Sequence, residues 1–222
     1  MQPTSSFLFL DLVGYTALAD QRGDDHAADA ALSLYACVRP LLSAHGAEEV
    51  KTIGDAMMLR CPRPADAVRL GLRIVSCLES EEALPSVRVG IHTGSAVQRG
   101  SDWYGSTVNV ASRLCSAAGG GEVLVSDTTR LQAPRVRGVE FGDRRLHWLK
   151  NVTEPVVAWV ALEHRLLPGA GALGSLRRRP TLRGRPLPGA VARLKALAGH
   201  LSTCERAAGV HRTGPALPGG MA

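Results

Sequence analysis

Apolar residues over the first 164 positions recur at two spacings, and the order of those spacings outlines a fold. Residues 7–13, FLFLDLV, form a short apolar run that fits a buried strand, interrupted by Asp11. Between positions 26 and 44 apolar residues return at helical spacing, with Ala28, Leu32, Tyr35 and Leu42 on the stripe. Residues 50–53 and 57–61 read as two strands around Gly54-Asp55, a hairpin signal. Behind Pro62 and Pro64, residues 65–78 repeat apolar side chains at three and four, as in Val68, Leu72 and Val75, and predict a second helix. Residues 87–91 alternate as a strand that stops at Thr93-Gly94. Residues 107–117 predict a helix, followed by a Gly119-Gly120-Gly121 loop and a strand over 122–126. One or two further strands fall within 146–161, broken near Asn151 and Pro155, with Trp148 and Trp159 as packing anchors. Strand, helix, hairpin, helix, strand is the order of an α+β fold with its helices on one sheet face.

Beyond position 164 the pattern is lost and Gly, Pro, Ala and Arg dominate. Residues 5–164 are expected to form one domain. Residues 165–222 are expected to be a basic tail, mostly disordered, with a short helix over 191–201. Charge divides at the same place. Residues 1–164 hold 16 Lys and Arg against 19 Asp and Glu, whereas residues 165–222 hold 10 against one, so the net +6 belongs to the tail. Such a tail suits an anionic surface or a partner protein, or it is simply a solvated extension. It has no aromatic residue for stacking on bases. No stretch approaches the roughly 18 apolar residues of a membrane span. The N-terminus also lacks a basic region and cleavage site, so a cytoplasmic protein without integral membrane association is expected. Five scattered cysteines without CxxC spacing fit small apolar side chains better than disulfides or zinc.

Two carboxylates stand out chemically. Asp11 interrupts an apolar strand just before Gly14, and Asp55 sits at the hairpin tip. A carboxylate inside a strand is costly unless something cationic offsets it. Two of them at neighbouring strand ends could hold Mg²⁺ beside a substrate phosphate. Taken singly, Asp11 also reads as a helix cap and Asp55 as a turn residue. Asn109 and Arg113 lie four apart on the 107–117 helix and so face the same way, as a ribose and phosphoryl site would need or as any solvated face would show. Lys51 and Asp102 offer a donor and an acceptor that complement adenine N1 and its N6 amino group, or are two surface charges.

Judged together these residues fall into five strings in order: FLFLDLVGYTAL, VKTIGDAMM, VRVGIHTG, DWYGSTVNVASRL and LKNVTEPV. Over residues 5–162 the strings resemble the class III nucleotidyl cyclase catalytic domain. The resemblance implies a ferredoxin-like βαββαβ core with added strands, working as a head-to-tail homodimer with two shared active sites. It makes Asp11 and Asp55 the metal-binding pair, Lys51 and Asp102 the adenine-selecting pair, and Asn109 the ribose-orienting residue. It makes Arg113 the arginine that stabilises the transition state and Lys150 the lysine that grips the triphosphate. Backbone N–H groups around Gly14, Tyr15 and Thr16 would cradle phosphates.

The reaction implied is ATP to 3′,5′-cyclic AMP and pyrophosphate, with two Mg²⁺ or Mn²⁺ per site. Guanine reverses adenine's donor and acceptor pattern, and a buried mismatch of that kind costs roughly 1–3 kcal/mol. Lys51 and Asp102 therefore favour ATP over GTP. A guanylyl cyclase and a nucleotide-binding module without catalysis are the alternatives on the same fold. Ala56 and Asn151 stand where the family often has glycine.

Overall fold

The computed structural model describes residues 4–80, 84–150, 152 and 154–164. β1 (Thr4–Leu12) runs into α1 (Tyr15–Arg22), α2 (Asp24–Leu42) and one 3-10 turn (Ser43–His45). The hairpin β2 (Glu48–Ile53) and β3 (Ala56–Cys61) follows, then α3 (Pro64–Glu79) and β4 (Val87–Ser95). A small hairpin, β5 (Val97–Arg99) and β6 (Asp102–Tyr104), leads into α4 (Ser106–Ala117). β7 (Val123–Ser126), α5 (Asp127–Gln132), β8 (Val139–His147) and β9 (Val156–Glu163) complete the described chain.

Seven strands form one sheet in the order β2-β3-β1-β4-β7-β9-β8. Its first four strands are the ferredoxin-like core, with β1 central and antiparallel to both β3 and β4. β7 joins β4 in parallel, and β9 and β8 extend the sheet antiparallel, the added strands that the sequence resemblance implies. Helices cover both faces, not the one expected from element order. Leu8, Leu10 and Leu12 of β1 pack with Leu34 and Val38 of α2 and Val68 and Ile74 of α3. On the other face Phe7 and Met58 pack with Val108 and Ala111 of α4 and with Trp103. The physical reason lies in residues 7–10, which are apolar at every position and lack the alternation of a one-sided strand.

Other boundaries shift for identifiable reasons. α1 is a separate helix that buries no side chain fully, so no apolar stripe marks it. β4 runs through Thr93-Gly94 to Ser95 because β1 supplies partners that far, pairing Ser5 with Gly94 and Thr4 with Ser95. β8 begins at Val139, well before 146. It is an edge strand with one partner and no fully buried residue. Trp159 packs as expected, its indole N–H donating to Asp127 at 2.8 Å under the Arg130 guanidinium. Trp148 does not: it is 77% exposed. No helix among the described residues is long and apolar enough to cross a membrane. The helix expected over 191–201 lies outside the described residues.

Candidate active site

Two glycine turns aim the carboxylates. Gly14, at φ 80°, turns the chain from β1 into α1, and Gly54, at φ 60°, closes the β2–β3 hairpin. Tyr35 of α2 pins that hairpin by donating its hydroxyl to the Gly54 carbonyl. Strand register then brings the pair together: Asp11 lies opposite Ala56, the neighbour of Asp55, on one side and opposite Arg88 on the other. Burial pushes the Asp55 carboxyl above the usual carboxylate range, and the negative charge of Asp11 pushes it further. Arg88 answers that charge. Its Nε and Nη2 donate to a single oxygen of Asp11, Oδ2, at 2.9 and 2.5 Å, while Nη1 donates to the Ser116 carbonyl at 3.2 Å.

Lys51 and Asp102, 51 positions apart, also meet. The Lys51 ammonium donates to Asp102 Oδ2 at 2.6 Å and holds that carboxyl below the usual range. The Trp103 backbone N–H fixes the other oxygen at 2.8 Å. Asn109 and Arg113 are exposed on α4, away from the buried stripe of Val108, Ala111 and Cys115. Neither has a side-chain partner among the described residues, and neither does Lys150, which is exposed in the β8–β9 connection. The structure thus assembles two pairs within one chain and leaves three cationic or amide groups exposed, without partners among the described residues. Gly14 occupies the N-cap of α1, Tyr15 is half-buried against the core and Thr16 is exposed. No side chain caps α1, which leaves its first N–H groups available to an anion.

Sequence reasoning passed over Arg88 and Tyr35. An arginine at the start of an apolar strand is the same anomaly as Asp11, and it was the available signal. Tyr35 reads only as one apolar position on a helix. His92 is a mid-strand residue whose Nδ1 meets Ser126 Oγ at 2.8 Å, and burial pushes its imidazole down to about 4.

The model of the adenylate and guanylate cyclase catalytic domain matches residues 2–150, and the chain belongs to that family. It is 38% identical over 149 residues to a pH-sensitive adenylate cyclase of Mycobacterium tuberculosis, covering 64% of this chain and 37% of that protein. It is 34% identical over 117 residues to an adenylate cyclase of Streptomyces griseus, covering 53% and 29%. The chain therefore spans about a third of the length of these relatives. Among solved structures, an adenylate/guanylate cyclase/hydrolase from Silicibacter pomeroyi superposes with a TM-score of 0.64 at 30% identity, covering 72% of this chain and 96% of that one. Adenylate cyclases from Trypanosoma brucei in their monomeric state give 0.66 at 24% identity, covering 74% and 90%, a likeness of fold.

Membership implies dependence on a divalent metal in general. The residues present fit one. Two carboxylates so close that the charge of Asp11 adds to burial in pushing the Asp55 carboxyl up, with a guanidinium drawn onto Asp11, make a cleft that calls for positive charge. Oxygen donors of this kind suit Mg²⁺ or Mn²⁺. No third His, Cys, Asp or Glu joins them among the described residues, so water, backbone oxygens and substrate phosphate would complete the coordination.

Proposed function

We propose that this chain is an adenylyl cyclase, converting ATP to 3′,5′-cyclic AMP and pyrophosphate at the interface of a head-to-tail homodimer. The observation that carries this reading is the 2.6 Å contact between Lys51 and Asp102, which presents a donor and an ionised acceptor side by side. That pair complements adenine, with the ammonium donating to N1 and the carboxylate accepting from the N6 amino group. The adenylate cyclase relatives support the same substrate.

Asp11 and Asp55 would hold two divalent cations, Mg²⁺ or Mn²⁺, which when bound make the ribose 3′-hydroxyl more acidic and screen the phosphate charge. The chain's own residues do the rest by position and charge. N–H groups at Gly14, Tyr15 and Thr16 donate to phosphate oxygens, and Lys150 grips the triphosphate. Asn109 orients the ribose so that its 3′-oxygen faces the α-phosphorus. A bond forms between those two atoms as the hydroxyl gives up its proton to water, and the bond from the α-phosphorus to the pyrophosphate oxygen breaks. Arg113 donates to the charge that develops on the transferring phosphoryl group. Asn109, Arg113 and Lys150 lack partners among the described residues, which supports their acting on a nucleotide held by the other protomer's aspartates.

The test is a product assay. Purified full chain with ATP or GTP, and Mg²⁺ or Mn²⁺, is read by mass spectrometry. The expected result is cyclic AMP from ATP, reduced at least about 10²-fold by Asp55→Ala. No cyclic nucleotide from a folded dimer, or cyclic GMP in preference to cyclic AMP, overturns the proposal.

A further inference from the structure

A second concave site lies away from both residue pairs. It is a groove of about 480 Å³ where α3 and the Ser43–His45 turn meet the start of β8 and the end of β9. A backbone bond from His164 N–H to the Gly138 carbonyl, at 2.9 Å, ties the two strand ends that form one side. Leu41, Leu72 and Val139 give it apolar surface. Around them converge Arg69, Arg73, Arg137, His45 and His164.

Nothing in the fold explains this gathering of charge. Arg69 and Arg73 sit one turn apart on α3, a spacing at which like charges repel. Arg69 shares Asp66, at 3.2 Å, with Arg63, so one carboxylate serves two guanidiniums. Arg73 and Arg137 have no ion pair or hydrogen bond among the described residues. His164 meets Glu140 at 3.6 Å, and His45 uses Nδ1 on the Leu41 carbonyl at 2.8 Å. Among the described residues, Glu163 is the one carboxylate that lines the groove. All this stands in residues 1–164, where acidic residues outnumber basic ones by 19 to 16.

We propose that the groove binds a small phosphomonoester with a compact apolar body, an aryl or acyl phosphate. Guanidinium forks match phosphate oxygens two at a time, and the leucines and valine take the apolar part. The volume is that of an ordinary small-molecule site. Residues 165–222 do not suit the groove, since they hold ten Lys and Arg against one Glu. The inference is independent of the nucleotide chemistry proposed above.

Calorimetric titration of the full chain with 1-naphthyl phosphate, in EDTA to keep divalent ions out, tests it. One saturable site per chain is expected, unaffected by excess ATP. Arg73→Ala/Arg137→Ala, both at exposed positions, should bind at least about tenfold more weakly with an unchanged melting temperature. Inorganic phosphate and neutral naphthalene-1-methanol should each bind at least about tenfold more weakly than 1-naphthyl phosphate. Equal binding by the double variant, displacement by ATP, or equal affinity for either control ligand overturns the proposal.

Discussion

Arg88 and Asp55 stand on either side of Asp11 and act on it in opposite ways. Asp55 adds negative charge to a half-buried cleft, and Arg88 removes it through two donors on one oxygen. A divalent ion at the aspartates would do the work the guanidinium does without it. Replacing Arg88 by Met keeps the aliphatic stem and deletes the charge. With both side chains about a quarter exposed, the loss in metal-free protein should be about 1–3 kcal/mol, below that of a fully buried pair. Mn²⁺ should then raise the melting temperature of Arg88→Met by more than it raises that of the wild type. Equal shifts, read by thermal unfolding with and without EDTA, would show that the guanidinium does not stand in for the ion. At this scale the sequence made Asp11 conspicuous because carboxylates are rare in apolar strands, and Asp55 because it stands at the tip of a hairpin between two apolar strands. It hid Arg88, because only the register of β1 against β4 says which carboxylate a strand-end arginine meets.

Helix α4 carries Asn109 and Arg113, and its placement depends on one residue of the strand beneath it. A Cβ at Gly90 of β4 would lie 2.0 Å from the Cys115 amide nitrogen and 2.6 Å from the Ala111 carbonyl oxygen. These are backbone atoms, so no rotamer change relieves the clash. Gly90→Ala must lift α4 off the sheet, and should cost about 1–3 kcal/mol or more in urea unfolding while lowering kcat more than KM. Gly71→Ala is the control: its nearest atoms are side-chain ends of Ile91 and Val123 at 3.0 Å, which can give way. Equal losses in the two variants would sink the argument. The same elements show what a sequence discloses. α3 and the β2–β3 hairpin were legible, since one has a strong apolar stripe and the other a turn signal between apolar strands. β8 was seen only in part, because an edge strand with a half-exposed pattern carries little periodicity. The spacing of α4 put Asn109 and Arg113 on one face of the helix but did not say which sheet face the helix covers. That information sat in the unbroken apolar run of residues 7–10.

On the proposed reading one chain carries both halves of a cyclase site, and the two halves make separate contacts among the described residues. Asp11 and Asp55 interact with each other and with Arg88, whereas Asn109, Arg113 and Lys150 find no partner among the described residues. Two chains related by a twofold axis and packed head to tail would bring the outward residues of each over the aspartates of the other, making two equivalent sites. That arrangement has an arithmetical consequence. In a mixture of Asp55→Ala and Arg113→Ala protomers, each mixed dimer places both lesions in one site and leaves the other site intact. Random pairing at equal amounts makes half the dimers mixed, so the mixture should recover about a quarter of the wild-type rate although each variant alone is nearly inactive. Cyclic AMP production measured across a series of mixing ratios checks this, and the rate should peak at equal amounts. A flat, inactive series from variants that still dimerise would mean that each site is built within one chain. The roles of Asn109 and Arg113 would then need a route to the aspartates that the exposed face of α4 does not offer.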